Sequence, residues 1–101
     1  MQDKFLQFLS LCKRAGATVE GYNNAMQCVK KTKIYLCIIS NDVSQNTLDK
    51  FSKICNDQEI TMLQCYDKIT LGRAVGRAEI NVICLKDKNM SHRLMEIYES
   101  K

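Results

Sequence analysis

Proline and tryptophan are absent, and only four glycines, Gly16, Gly21, Gly72 and Gly76, punctuate 101 residues. Such a chain has no linker and no low-complexity stretch, and its length is that of one domain, so residues 1–101 are read as a single folding unit. No run approaches the roughly 18 apolar residues of a membrane span. Asp3 and Lys4 stand where a secretory signal would need basic and then apolar residues. A soluble, unexported, cytoplasmic protein with no membrane partner is expected. Histidine occurs once, at His92, beside Arg93 in a charged stretch that suits a solvated surface better than a catalytic base. No nucleophile, base and orienting acid stand out as a set.

Cysteine is plentiful but its spacing is uninformative for metals. Cys12, Cys28, Cys37, Cys55, Cys65 and Cys84 are separated by 16, 9, 18, 10 and 19 positions, with no C-x-x-C pair. Neither a metal site nor a cofactor is expected. Each cysteine falls among apolar neighbours on the inward phase of a candidate element, as a small hydrophobe would, which favours reduced core thiols over a disulfide scaffold. The stretch Gly72-Arg73-Ala74-Val75-Gly76 lacks the G-x-G-x-x-G spacing of a dinucleotide loop, and close helix packing is the reading preferred for it. Asp57 and Glu59 flank a polar loop, without the apolar setting that raises a catalytic pKa. The sequence therefore points away from an enzyme.

What is present is enough for a core: 46% of the residues are hydrophobic and 26% charged. The net charge of +4 is uneven. Residues 1–33 carry six Lys or Arg against two acids, residues 34–67 two against five, and residues 68–101 seven against four. One basic surface is compatible with nucleic acid and also with an ordinary solvated exterior.

Apolar periodicity orders the chain. Phe5, Phe8, Leu9 and Cys12 follow helical spacing over residues 4–15, and Gly16 stands where that helix would end. A short strand over 17–20 precedes a second helix over 22–32, with Ala25, Cys28 and Val29 inward and the other face polar. The run over 34–39 is apolar throughout and too short for an independent helix, which predicts a strand covered on both faces. Asp42 or Ser44 caps a third helix to about residue 56, and residues 60–66 form the next strand. Asp67 caps a short helix containing residues 71–76, residues 80–85 form a further buried strand, and Ser91 opens the last helix. This alternation predicts a three-layer α/β/α sandwich around a central four-stranded mixed sheet.

The second helix holds the strongest candidate site. Gly21, Asn23 and Asn24 stand at its N-terminus, where unpaired backbone N–H groups and the positive end of the helix dipole attract phosphate. Asn24, Gln27 and Lys31 recur at i, i+3 and i+7, with Lys30 beside them. Amides can pair with base edges while lysines meet phosphates. A purely solvated helix face has the same pattern.

Several segments together resemble a family: residues 11–16 (L-C-K-R-A-G), 21–25 (G-Y-N-N-A), 34–42 (I-Y-L-C-I-I-S-N-D) and 71–76 (L-G-R-A-V-G). In order and spacing they are similar to the ribosomal protein superfamily of archaeal L-seven-Ae and eukaryotic L-thirty-e, and within it to the small bacterial YlxQ type. The resemblance implies an α/β/α fold that binds structured RNA, notably kink-turns, in which tandem sheared G·A pairs bend a duplex sharply. On that resemblance Gly21 and Asn23 meet the RNA, Lys31 and Lys68 contact phosphates, and Arg77, Ala78, Glu79 and Ile80 form the variable loop beside an extruded nucleotide. Kink-turn binders of the family carry Glu and Lys at the positions of Asn24 and Gln27, where this chain has two neutral amides. They also favour apolar contact where this chain has Arg77 and Glu79.

The expectation is thus a non-catalytic RNA-binding protein whose partner is structured RNA, with ribosomal RNA or the ribosome as candidates and DNA not expected. A protein-interaction adaptor on the same fold is the alternative. A third reading is a substrate-binding module once attached to an RNA-modifying enzyme. A positive rim joining Lys30, Lys31, Lys68 and Arg77 would favour RNA, and its absence the adaptor.

Overall fold

In the computed structural model, which describes residues 3–100, nine elements follow the expected order. They are α1 (Lys4–Arg14), β1 (Thr18–Glu20), α2 (Tyr22–Lys31), β2 (Leu36–Ile39), α3 (Gln45–Asp57), β3 (Thr61–Gln64), α4 (Lys68–Ala74), β4 (Val82–Leu85) and α5 (Lys88–Glu99). The strands form one mixed sheet in the order β1-β4-β2-β3. β4 runs antiparallel to both β1 and β2, and β3 lies parallel to β2, joined to it through α3.

The two central strands are buried at every position, as a sheet covered on both faces requires. Their side chains alternate between two cores. Leu36, Ile38, Ile83 and Leu85 pack with Phe5, Leu9, Leu71 and Leu94 of α1, α4 and α5. Cys37, Ile39, Val82 and Cys84 pack with Ala25, Val29, Phe51 and Cys55 of α2 and α3. Each core has a fully buried phenylalanine: Phe5 stacks on Tyr66 with centroids 5.6 Å apart, and Phe51 meets Tyr22 edge-on at 5.6 Å. Truncating either to alanine costs about 3–5 kcal/mol.

Four helices start on a carboxylate or hydroxyl that accepts a first-turn N–H: Asp3 from Leu6, Ser44 from Thr47, Asp67 from Thr70 and Asp87 from Met90. The last of these corrects an expectation. Asp87 rather than Ser91 opens the final helix, and Ser91 is buried inside it, donating its Oγ to the Asp87 carbonyl at 2.7 Å. The short helix likewise begins at Lys68 and ends at Ala74, because the chain leaves the helix at Val75 and turns through Gly76 at φ 75°. β3 is shorter than expected and lies at the sheet edge, where Thr61 and Gln64 are exposed. Cys65 lies just past its end and is still buried.

The thiols are all free. Five are buried, and Cys28 is half-buried, short of the core position expected for it. Cys37 and Cys84 face each other across neighbouring strands with sulfurs 3.8 Å apart. Hydrogen bonds with Cys55 and Cys84, and then burial, hold the Cys37 thiol well above its usual pKa. Burial, with the Asp87 charge behind it, pushes Cys12 up to about 11. Protonated, enclosed thiols are poor nucleophiles.

Candidate nucleic-acid interface

The strand directions bring four connections to one end of the sheet: those leaving β1, β2 and β3, and the one entering β4. Backbone and side-chain hydrogen bonds lock them together. Gly21 N–H donates to the Val82 carbonyl at 2.9 Å, Ser40 N–H to the Asn81 carbonyl at 3.0 Å, and Asn41 N–H to the Tyr66 carbonyl at 2.7 Å. The buried Ser40 hydroxyl bonds Asn81 Oδ1 at 2.6 Å. Asp42 Oδ1 accepts from Lys68 N–H at 3.0 Å, and the Lys68 carbonyl accepts from Ile80 N–H at 3.0 Å. Tyr66 takes a left-handed backbone, φ 64°, to make the turn, a conformation costing about 1–3 kcal/mol that its stacking on Phe5 and its hydroxyl bond to Asp3 at 2.6 Å help to hold.

On this frame the start of α2 differs from the other helices. Its cap is Gly21, at φ 98° and ψ 155°, with no side chain satisfying the first-turn N–H groups. A Cβ there would lie 4.0 Å from Ile80 Cδ1, so backbone conformation rather than space calls for glycine. Asn23, Asn24, Gln27, Lys30 and Lys31 are all exposed along the helix, as the polar face requires. Asn24 Nδ2 donates to the Glu20 carbonyl at 3.1 Å. Only the amide nitrogen can face a carbonyl, so Oδ1 is left as an outward acceptor.

The loop over 76–81 sits beside this helix start. Gly72 makes that possible: a Cβ on it would lie 2.7 Å from Glu79 Cα and 2.9 Å from the Arg77 oxygen. The close approach expected of Gly72 is therefore to the loop backbone, not to another helix. Arg77, Ala78 and Glu79 are exposed and Ile80 is buried beneath them.

The cations expected to form one rim divide into two pairs. Lys68 lies 3.7 Å from Glu79, and Arg77 Nε donates to Glu20 Oε1 at 3.1 Å, both at the loop end. Lys30 and Lys31 stand in the last turn of α2, about 12 Å along the helix axis from Asn23. Glu20 and Lys13 were not among the expected site residues. Glu20 is 5% exposed, and its carboxylate also accepts from Lys13 Nζ at 2.9 Å and from the Thr18 hydroxyl. Burial opposes its charge, yet the hydrogen bonds from Thr18, Lys13 and Arg77 prevail and hold its pKa below the ordinary value. The available signal was an isolated acid ending a short strand, the only Asp or Glu between Asp3 and Asp42.

His92 is exposed on α5, its imidazole 4.0 Å from Glu96. Among the described residues no group of three or more His, Cys, Asp or Glu is placed to hold a metal ion, and no helix is long and apolar enough to cross a membrane.

A family model described as the Ribosomal protein L7Ae/L30e/S12e/Gadd45 family matches residues 3–95. The chain belongs to this family. Within reach of it by sequence is RNA-binding protein YlxQ of Bacillus subtilis (strain 168), 22% identical over 96 residues that cover 95% of this chain and 96% of that protein. Among solved structures, a protein with unknown function from Bacillus halodurans C superposes with a TM-score of 0.92 at 28% identity, covering 97% of this chain and 99% of its own. The Giardia lamblia 15.5kD RNA binding protein superposes with a TM-score of 0.79 at 21% identity, covering 94% and 82% respectively, and so shares the fold of this L7Ae/L30e-type chain.

Proposed function

We propose that this protein is a non-catalytic, cytoplasmic RNA-binding protein that docks on structured RNA, with ribosomal RNA as the natural candidate, through the start of α2 and the loops beside it. The observation that carries the reading is the uncapped first turn of α2 lying against the 76–81 loop at one end of the sheet. Family membership supports it, as do the two relatives whose names describe RNA binding. Free N–H groups at a helix start receive a phosphate, and the outward Asn24 Oδ1 accepts from a guanine N–H at a base edge. Gln27 offers a second amide one turn on, and Lys30, Lys31, Lys68 and Arg77 meet backbone phosphates.

The adaptor alternative has its own surface, in which Phe8, Leu11 and Ile97 line a shallow groove between α1 and α5 and Leu11 is exposed. The division of the cations into two pairs removes the single positive rim as an argument for RNA, but a patch this small is ordinary for a soluble surface, so the preference for RNA rests on the family and on the start of α2.

The test is a titration of a kink-turn RNA and a straight duplex of matched composition at several salt concentrations. The kink-turn RNA is expected to bind more tightly, with a log-log salt slope of about −2 to −4. Failure of the native protein to hold either RNA, or affinity indifferent to salt, would sink the reading.

A further inference from the structure

Glu20 is the only acidic residue buried among the described residues, and a buried carboxylate is tolerated only when paired and fully hydrogen-bonded. Its partners are unusual for a purely structural ion cluster. Lys13 and Arg77 are each about half exposed, with side-chain accessibilities of 43% and 48%, and Arg77 belongs to the loop beside the start of α2. The carboxylate engages Arg77 through Nε alone, and the terminal guanidinium nitrogens make no hydrogen bond among the described residues. Glu20 also reaches the other half of the interface through its backbone, because its carbonyl orients the Asn24 amide.

A phosphate binds a guanidinium best along one edge, through two parallel hydrogen bonds. Glu20 already occupies the edge that includes Nε. We propose that Glu20 is a specificity-determining residue of the RNA interface: its carboxylate is an internal counter-anion that withholds Lys13 and the Nε edge of Arg77 from phosphates in general. What remains is the outer edge of Arg77 and the fixed acceptor of Asn24. An RNA backbone is held there only when its phosphate and its base edge arrive together, which a bent or internally looped RNA can arrange and a regular duplex cannot. This inference rests on the RNA-binding reading above.

The decisive variant is Glu20→Gln, which keeps the size of the side chain, the backbone carbonyl and a partner for Thr18 while removing the negative charge that holds both cations. A straight duplex should then bind about two- to fivefold more tightly, the range for a half-exposed charge contact. Its salt slope should steepen by about 0.9 for each added phosphate contact. A kink-turn RNA should gain less, so the ratio of the two affinities falls. In a Lys13→Gln, Arg77→Gln background, Glu20→Gln should leave duplex binding unchanged.

Equal gains on both RNAs, no gain on the duplex, or a gain that persists without Lys13 and Arg77 would each overturn the proposal, the last because it would be a bulk charge effect. A measurement on the native chain covers a variant that fails to fold: the Arg77 Nε proton should exchange slowly and remain protected when duplex is added. Loss of that protection on adding duplex would overturn the proposal as well. If the native protein holds neither RNA, the functional reading falls and takes this inference with it. If it holds the kink-turn RNA and the affinity ratio ignores Glu20→Gln, this inference alone falls.

Discussion

The two ends of α2 carry cations in opposite circumstances. Lys30 and Lys31, in its last turn, are exposed and joined to no carboxylate among the described residues. Lys68 and Arg77, gathered near its first turn, are each paired with an acid. Composition counts these four residues as equivalent, yet a phosphate finds the first pair unencumbered and must compete with Glu79 and Glu20 for the second. On the proposed RNA-binding reading, affinity in general and selectivity in particular fall to different ends of one helix.

The largest effect should come from disrupting the tied end alone. Gly72→Ala sets a methyl group against the backbone of Arg77 and Glu79, which cannot move aside as a flexible side chain could. Overpacking of this kind should destabilise the fold by about 1–3 kcal/mol, read from urea denaturation. RNA binding by the folded fraction should keep the lysine contribution and lose discrimination between RNAs. Native stability together with native discrimination would show that the loop has slack that the backbone distances do not suggest.

Next in size is a change between the two ends. Asn24→Glu with Gln27→Lys would supply the charged pair that the resemblance gives to kink-turn binders of the family, and leaves the formal net charge unaltered. Charge-assisted hydrogen bonds to bases should tighten kink-turn binding by about tenfold or more. A straight duplex titrated at the same salt should show little change. If neither RNA binds better, this helix face is not where a kink-turn docks and the adaptor alternative gains.

A smaller effect sharpens the contrast directly. Lys30→Gln with Lys31→Gln should flatten the duplex salt slope by about 1.8, two phosphate contacts' worth. Lys68→Gln should flatten it by less than one full contact, because Glu79 already answers part of that charge. Equal slopes per lysine would erase the distinction between the two ends.

The smallest effect is on stability with acid. The Glu20 pKa is lower in the fold than its ordinary value of 4.5, so its pairing stabilises the protein fully above that pH and the contribution fades as pH drops below it, through the folded-state value. Thermal melts at descending pH should therefore show a loss in the native protein that is absent from Glu20→Gln. Parallel melting curves for the two proteins would remove Glu20 from the account.

Much of this was legible in the residues themselves. An unbroken apolar run such as residues 34–39, too short for an independent helix, points to a covered strand, which forms over Leu36–Ile39, and the helical spacing of Phe5, Leu9 and Cys12 allows one buried face. Short-range capping chemistry was nearly as readable, though Asp87 and Ser91 compete for one role and a carboxylate next to the first-turn N–H groups prevails. The exposed amide and lysine face of α2 followed from periodicity, and the family from the segments that recur in order. Beyond this lay everything that depends on residues distant in the chain. Glu20 and Arg77 are 57 positions apart, and no local pattern shows that the turn at Gly76 and the antiparallel pairing of β1 with β4 carry a guanidinium to that carboxylate. Sequence by itself determined which residues are apolar, which helix face is polar and how many cations the chain holds, because those are properties of spacing and composition. Only the tertiary structure decided which cations are free, because ion pairing depends on distances of a few ångströms that the packing of separate elements sets.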